Sequence, residues 1–146
     1  AERLKIPKGP LWGKLQRGES VVNKDGIEIK PEQVVGKNRS GRKFSFVTDT
    51  MYLPSIAKEV KGSDLLICEG MFADGCEDQA KEKKHMTSRQ AATIARDSNA
   101  LRMGLIHYSP RYNDKELNVL LEQAQQVYPE ARLTKDRMRI EIPYVE

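Results

Sequence analysis

The period of the apolar positions changes several times along the chain, and the changes mark its elements. Near the amino end, Pro10 followed by Leu11, Trp12 and Leu15 predicts a short helix that stops at Gly18. Val21-Val22 and Ile27-Glu28-Ile29 flank Asn23-Lys24-Asp25-Gly26, a hairpin signal built on an Asp-Gly turn. Residues 31–36 read as a turn or a single helical turn, and Lys43-Phe44-Ser45-Phe46-Val47 as a strand running into Thr48-Asp49-Thr50. A short helix is predicted over 54–60, then a buried strand over 63–68 that ends at Glu69. The polar stretch 73–84 precedes a helix over 88–100 with Ala91, Ala92, Ile94 and Ala95 on one side. The strand 101–106 ends in His107. A second amphipathic helix covers 115–127, with Leu117, Leu120, Leu121 and Ala124 at helical spacing before Pro129. Residues 137–142 alternate and predict a closing strand. Strands alternating with helices make an α/β fold, in which the carboxyl ends of the strands share one rim.

Composition narrows the class. The chain of 146 residues suits one core, and 38% apolar against 32% charged residues is globular rather than disordered. Twenty-five basic against 21 acidic residues leave a charge of +4, which admits a polyanionic partner without demanding one. No apolar run approaches the roughly 20 residues of a membrane span, and the amino end has no signal-peptide pattern, so a cytoplasmic protein without a membrane partner is expected. Cys68 and Cys76 stand eight positions apart, forming neither a C-x-x-C pair nor a disulfide framework. His85 and His107 are the only two histidines, which rules out a three-histidine zinc site from this chain alone. The first residue is Ala rather than Met, as expected of a piece of something longer.

The candidate chemistry is positional. Three predicted strands end in Asp49, Glu69 and His107, and His85 sits in the loop before a helix. Gathered at one rim, a carboxylate and an imidazole make natural zinc ligands, while a second carboxylate can orient a histidine as a proton donor. Each also fits a plainer role. Asp49 before Thr50 suits a cap, Glu69 beside Gly70 a solvated loop acid, His85 a surface loop, His107 a core histidine, and Arg111-Tyr112 a surface pair.

Five motifs, in order along nearly the whole chain, carry a resemblance. They are Ile6-Pro7-Lys8-Gly9-Pro10-Leu11-Trp12-Gly13, Gly41-Arg42-Lys43-Phe44-Ser45-Phe46-Val47-Thr48-Asp49-Thr50, Ser63-Asp64-Leu65-Leu66-Ile67-Cys68-Glu69-Gly70-Met71-Phe72, His85-Met86-Thr87-Ser88-Arg89-Gln90-Ala91-Ala92 and His107-Tyr108-Ser109-Pro110-Arg111-Tyr112. Together the sequence resembles the carboxyl-terminal half of the ribonuclease Z family, endonucleases that trim tRNA precursors at the 3′ side. The resemblance implies an α/β fold that is half of a metallo-β-lactamase αββα sandwich, a mixed sheet with helices on one face, over 1–146. It implies that Asp49 and His107 are metal ligands in a site for two Zn2+, and that Glu69 and His85 form the catalytic pair in which His85 protonates the departing oxygen. It makes Thr87, Ser88 and Arg111 the substrate-binding residues and precursor tRNA the partner.

The chain departs from the family pattern at Thr48, Cys68, Gly70, Met71 and Met86, where the family has Gly, His, Ala, Thr and a small hydroxyl residue. The family's His-x-His-x-Asp-His motif, which supplies most of the zinc ligands, has no counterpart here. Three expectations follow. The chain is inactive alone, it binds zinc weakly or not at all, and it exposes an apolar sheet face that the missing amino-terminal half or a second copy (a homodimer) covers. The competing readings are another hydrolase or phosphodiesterase of the same fold, and a non-catalytic RNA-binding or dimerisation module using Arg39, Arg42, Lys43, Arg132, Lys135, Arg137 and Arg139.

Overall fold

The computed structural model describes residues 2–36 and 41–144; Arg39, with the rest of 37–40, lies outside the described residues. The chain divides into two compact units, Ala1–Ser40 and Gly41–Glu146. In the first, α1 (Pro10–Gln16) starts on Pro10 as its fixed φ favours. Strands β1 (Val21–Val22) and β2 (Glu28–Ile29) pair antiparallel, with Val21 opposite Ile29. Asn23 closes the turn between them, its Oδ1 accepting from the amides of Asp25 and Ile27, each at 2.9 Å. Ile6, Leu15, Val21 and Ile29 form a small core of their own.

The second unit runs β3 (Phe44–Val47), α2 (Ile56–Glu59), β4 (Leu65–Glu69), α3 (Glu77–Glu82), α4 (Ser88–Asp97), β5 (Met103–Ile106), α5 (Asp114–Gln125) and β6 (Ala131–Leu133). Its sheet has the order β3-β4-β5-β6 and every neighbouring pair is parallel. The expected mixing of directions is therefore not found within this sheet; among the described residues the antiparallel pairing is that of β1 with β2. Parallel strands alternating with helices put all the strand carboxyl ends on one rim.

Register explains what each face buries. Leu66 pairs with Met103 and Cys68 with Leu105, and these four side chains pack into one cluster with Ala91, Ala92, Ile94 and Ala95 of α4 and Ala124 of α5. The opposite face carries Phe44 beside Leu65 and Phe46 beside Ile67. There the two phenylalanines remain 55% and 57% exposed.

The closing strand is a correction. Residues 137–142 form no ladder; the last strand is β6, which pairs Ala131, Arg132 and Leu133 with β5. The alternation at 137–142 has another cause. Met138, Ile140 and Ile142, with Phe44, Leu65 and Ile67, line a groove of about 420 Å3 on the non-helical face, so the period of two reflects side chains facing the sheet from one side, Ile140 and Ile142 half-buried and Met138 still exposed. Two arginines tie this segment down. Arg102 Nη1 donates to the Glu141 carbonyl and Arg42 Nη1 to that of Ile142, both at 2.8 Å. Among the described residues no helix is long and apolar enough to cross a membrane.

Candidate active site

Four side chains meet at the rim. Glu69 is the last residue of β4, a strand flanked on both sides, and is completely buried. A buried carboxylate has to find donors, and Glu69 finds two. Its Oε1 accepts from the Thr50 amide at 2.7 Å, and its Oε2 from His85 Nδ1 at 2.9 Å. A carboxylate that carries no proton only accepts, so the geometry assigns the shared proton to Nδ1 and leaves Nε2 as the nitrogen turned away from Glu69. His85 reaches Glu69 because its loop is pinned to the sheet: Phe72 N donates to the Met86 carbonyl and Ser88 N to that of Phe72.

Asp49 and His107 follow β3 and β5, and both take left-handed backbone conformations, with φ of 52° and 57°. Asp49 Oδ1 lies 3.7 Å from His107 Nε2, and His107 Nδ1 lies 4.0 Å from Glu69 Oε2. The rings of His85 and His107 meet edge to face, their centroids 5.1 Å apart. Ligand atoms of Asp49, His85 and His107 all lie within 4.8 Å of one another. Exposure is graded across the group: Glu69 is sealed, the His85 side chain is 18% exposed, that of His107 35% and that of Asp49 72%.

The other sequence-predicted residues stand differently. Thr87 is fully buried as the N-cap of α4, accepting from Gln90 N while the Gln90 side chain accepts from Thr87 N. Ser88 is also fully buried, and its hydroxyl has no hydrogen-bond partner among the described residues. Neither side chain opens to solvent. Arg111 is exposed, its guanidinium 4.8 Å over the Phe72 ring and bonded to Gln79 Oε1 at 2.9 Å. Phe72 in turn lies beside His85, centroids 6.5 Å apart. Four contributors escaped the sequence reading. Thr50 acts through its main chain, which no side-chain pattern reports. Phe72 acts by a single parallel bridge. Met51 and Tyr52 line a cavity of about 280 Å3 with Lys81, Gln90 and His85 itself.

Comparison with known proteins decides the family. Residues 29–108 match the model of the beta-lactamase superfamily domain. The chain belongs to the beta-lactamase superfamily. Its four motif-bearing strand ends and loops are the segments at which this member gathers Asp49, Glu69, His85 and His107. Relatives named ribonuclease Z run along the whole chain. That of Treponema denticola is 60% identical over 99% of this chain, that of Treponema pallidum 55% over 100%, and that of Borrelia hermsii 43% over 96%. The chain spans about half the length of these relatives, 47% of the first. Among solved structures, the short form of human tRNase Z is 30% identical with a TM-score of 0.54, covering 80% of this chain and 37% of that one. The metallo-beta-lactamase fold protein YhfI of Bacillus subtilis gives 25% and 0.57, covering 63% and 36%.

The superfamily fold implies a metal cofactor, and the rim fits one in part. A carboxylate and two imidazoles within one ion's reach are the right donors for a divalent transition metal, but three donors do not fill even one tetrahedral site, let alone two. The departures Cys68 and Met86 lie away from this opening. Both are fully buried, Sγ 3.8 Å from Sδ, and burial pushes the Cys68 thiol far above its ordinary range.

Proposed function

We propose that the chain is the carboxyl-terminal half of a metal-dependent endoribonuclease that cleaves tRNA precursors at the 3′ side. The observation that carries the reading is the buried Glu69 carboxylate bonded to His85 Nδ1 at 2.9 Å, beside Asp49 and His107, in a chain 60% identical to a ribonuclease Z. On this reading the metal is Zn2+, held by Asp49 and His107 together with ligands from the half not present. When bound, two such ions activate water and neutralise phosphoryl charge. The residues of this chain do the rest. Glu69, itself held by the Thr50 amide, fixes the imidazole through Nδ1, so that in the imidazolium form Nε2 hands its proton to the leaving oxygen and the ring returns to neutral with its remaining proton on Nδ1. Arg111, exposed and stacked on Phe72, holds a phosphate of the precursor. Thr87 and Ser88, with buried side chains and amides already bonded to Gln90 and Phe72, serve the substrate indirectly by fixing the loop that presents His85.

Residues 1–146 then make up half of one metallo-β-lactamase domain, and the half bearing His-x-His-x-Asp-His covers Phe44 and Phe46; a homodimer contact is the other occupant of that face. Of the residues suggested for RNA contact, Arg42 and Lys43 already bond main-chain carbonyls of this chain, which favours the enzymatic reading over a binding module. The test is to combine the chain with the upstream half of the Treponema denticola ribonuclease Z and assay cleavage of precursor tRNA. Cleavage that disappears with His85→Ala is expected. Hydrolysis of a simple diester without tRNA cleavage refutes the substrate. Calorimetry of the chain alone with zinc is expected to show weak binding, and submicromolar affinity refutes the ligand assignment.

A further inference from the structure

Cys68 immediately precedes Glu69, and Met86 immediately follows His85. The two dipeptides are therefore joined twice. One joint is the hydrogen bond from His85 Nδ1 to Glu69 Oε2 at 2.9 Å; the other is the contact of Cys68 Sγ with Met86 Sδ at 3.8 Å. Strand alternation sends Cys68 to the helix side of the sheet, where both sulfurs are completely buried within the main core. The stretch leading into His85 needs such an anchor. Lys84 has a left-handed φ of 59°, and His85 N donates to Ala80 O at 2.8 Å to close the end of α3, so the loop arrives at the rim through a tight turn. The main-chain bridge at Phe72 and the Thr87–Gln90 cap set the register of the loop. The Met86 side chain packs beneath the loop, fully buried in the core on the side away from the opening.

We propose that Met86, seated on Cys68, is a positioning residue for His85: the sulfur contact sets the height of residues 85–87 above the end of β4, and with it the length of the hydrogen bond to Glu69. Met suits the task because a long flexible thioether fills an irregular gap and makes favourable contact with a polarisable neighbour. Neither sulfur touches the opening, so neither acts on substrate. The inference rests on the reading of Glu69 and His85 as a working pair, but its test needs no catalysis.

The probe is the tautomer and proton exchange of His85, read by long-range 1H–15N correlation on the metal-free chain, with His85→Ala assigning the signals. The unaltered chain and Met86→Leu, which keeps the volume, are expected to show a protected proton on Nδ1. Met86→Ala, folded by its thermal melt, is expected to exchange that proton roughly tenfold faster, as when one ordinary hydrogen bond is lost, and to mix tautomers. A folded Met86→Ala with unchanged exchange and tautomer overturns the proposal. Should Met86→Ala fail to fold, Cys68→Ala, which opens a smaller gap from the other side, decides by the same two outcomes. Absence of an Nδ1 proton in the unaltered chain overturns the pair itself along with the proposal, whereas a change confined to the variants leaves the pair standing.

Discussion

Replacing Glu69 by Gln tests the candidate site while barely changing its shape. The carboxylate is fully buried and holds two donors, the Thr50 amide at 2.7 Å and His85 Nδ1 at 2.9 Å. In Glu69→Gln the amide oxygen can satisfy Thr50, but its NH2 then meets His85 Nδ1 donor to donor. The imidazole must move its proton to Nε2 or abandon the contact. Hydrogen bonds to a charged acceptor contribute about 1.5–3 kcal/mol and neutral ones about 0.5–1.5, so one weakened and one inverted bond cost roughly 1–3 kcal/mol. For a chain of this length that corresponds to a fall in Tm of about 4–12 °C. Glu69→Ala is expected to fall further, since both buried donors then lack an acceptor. Circular-dichroism melts of the metal-free chain measure the stability, and the NMR tautomer of His85 measures the geometry. In the reassembled protein, losing the oriented proton donor is expected to lower kcat by about 10²–10⁴-fold. A Glu69→Gln chain with unchanged Tm and a His85 proton still on Nδ1 refutes the reasoning.

Three other outcomes are expected. Burial raises the hydroxyl pKa of Tyr108 and Tyr128 above the ordinary 10.0, so the folded state holds those protons more tightly than the unfolded one. Their contribution to stability is complete below the unfolded value and declines as pH rises past it; the urea midpoint should fall as pH rises above about 10, and a constant midpoint there refutes this. A Cβ added at Gly70 would lie 2.9 Å from Leu105 Cδ2 and 3.1 Å from Ser88 Cα, so Gly70→Ala should displace the start of α4 and cost about 1–3 kcal/mol by denaturant titration. At Asp49, with a φ of 52° and a side chain 72% exposed, Gly should be more stable than Ala by about 1 kcal/mol in the same titration, the reverse of the usual order, and Ala equal to Gly refutes backbone strain there.

What the sequence revealed of the fold depended on how far each signal was local. The hairpin around Asp25-Gly26 was legible because a turn and two flanking apolar pairs suffice, and α4 because four apolar residues recur on one face. β6 was not legible. Three residues, Ala131–Leu133, are too few to display a period, and their pairing with β5 is a long-range event. Residues 137–142 misled because side chains facing a sheet from one side produce the same alternation as a ladder. In the site, the identities of Asp49, Glu69, His85 and His107 were visible as strand-end and loop residues. Their conformations were not. Asp and His enter the left-handed region more often than most side chains, but they do so in few of their occurrences, so the sequence does not mark which Asp or His takes a positive φ. Glu69 beside Gly70 has the local look of a solvated acid, and it is buried because β4 has a partner on both edges, a fact of topology.

The two halves of the chemistry are unequally built into this chain, and the exposures show why. The side-chain hydrogen bonds of Glu69 and the bridge that holds the His85 loop lie between residues 50 and 88, on a strand that β3 and β5 flank and one buried core supports, so this hydrogen bond forms when the second unit folds. Asp49 and His107 stand outside that core, their closest approach 3.7 Å, with left-handed main chains that cost the fold free energy. An interaction of that length between exposed groups contributes little to offset the strain. The strain is therefore carried by the sheet without local compensation, as expected of ligands whose stabilising partners are an ion and donors from elsewhere. On the proposed reading, folding alone prepares the proton donor, whereas the metal-holding arrangement is completed only when further ligands bind the ions that Asp49 and His107 face.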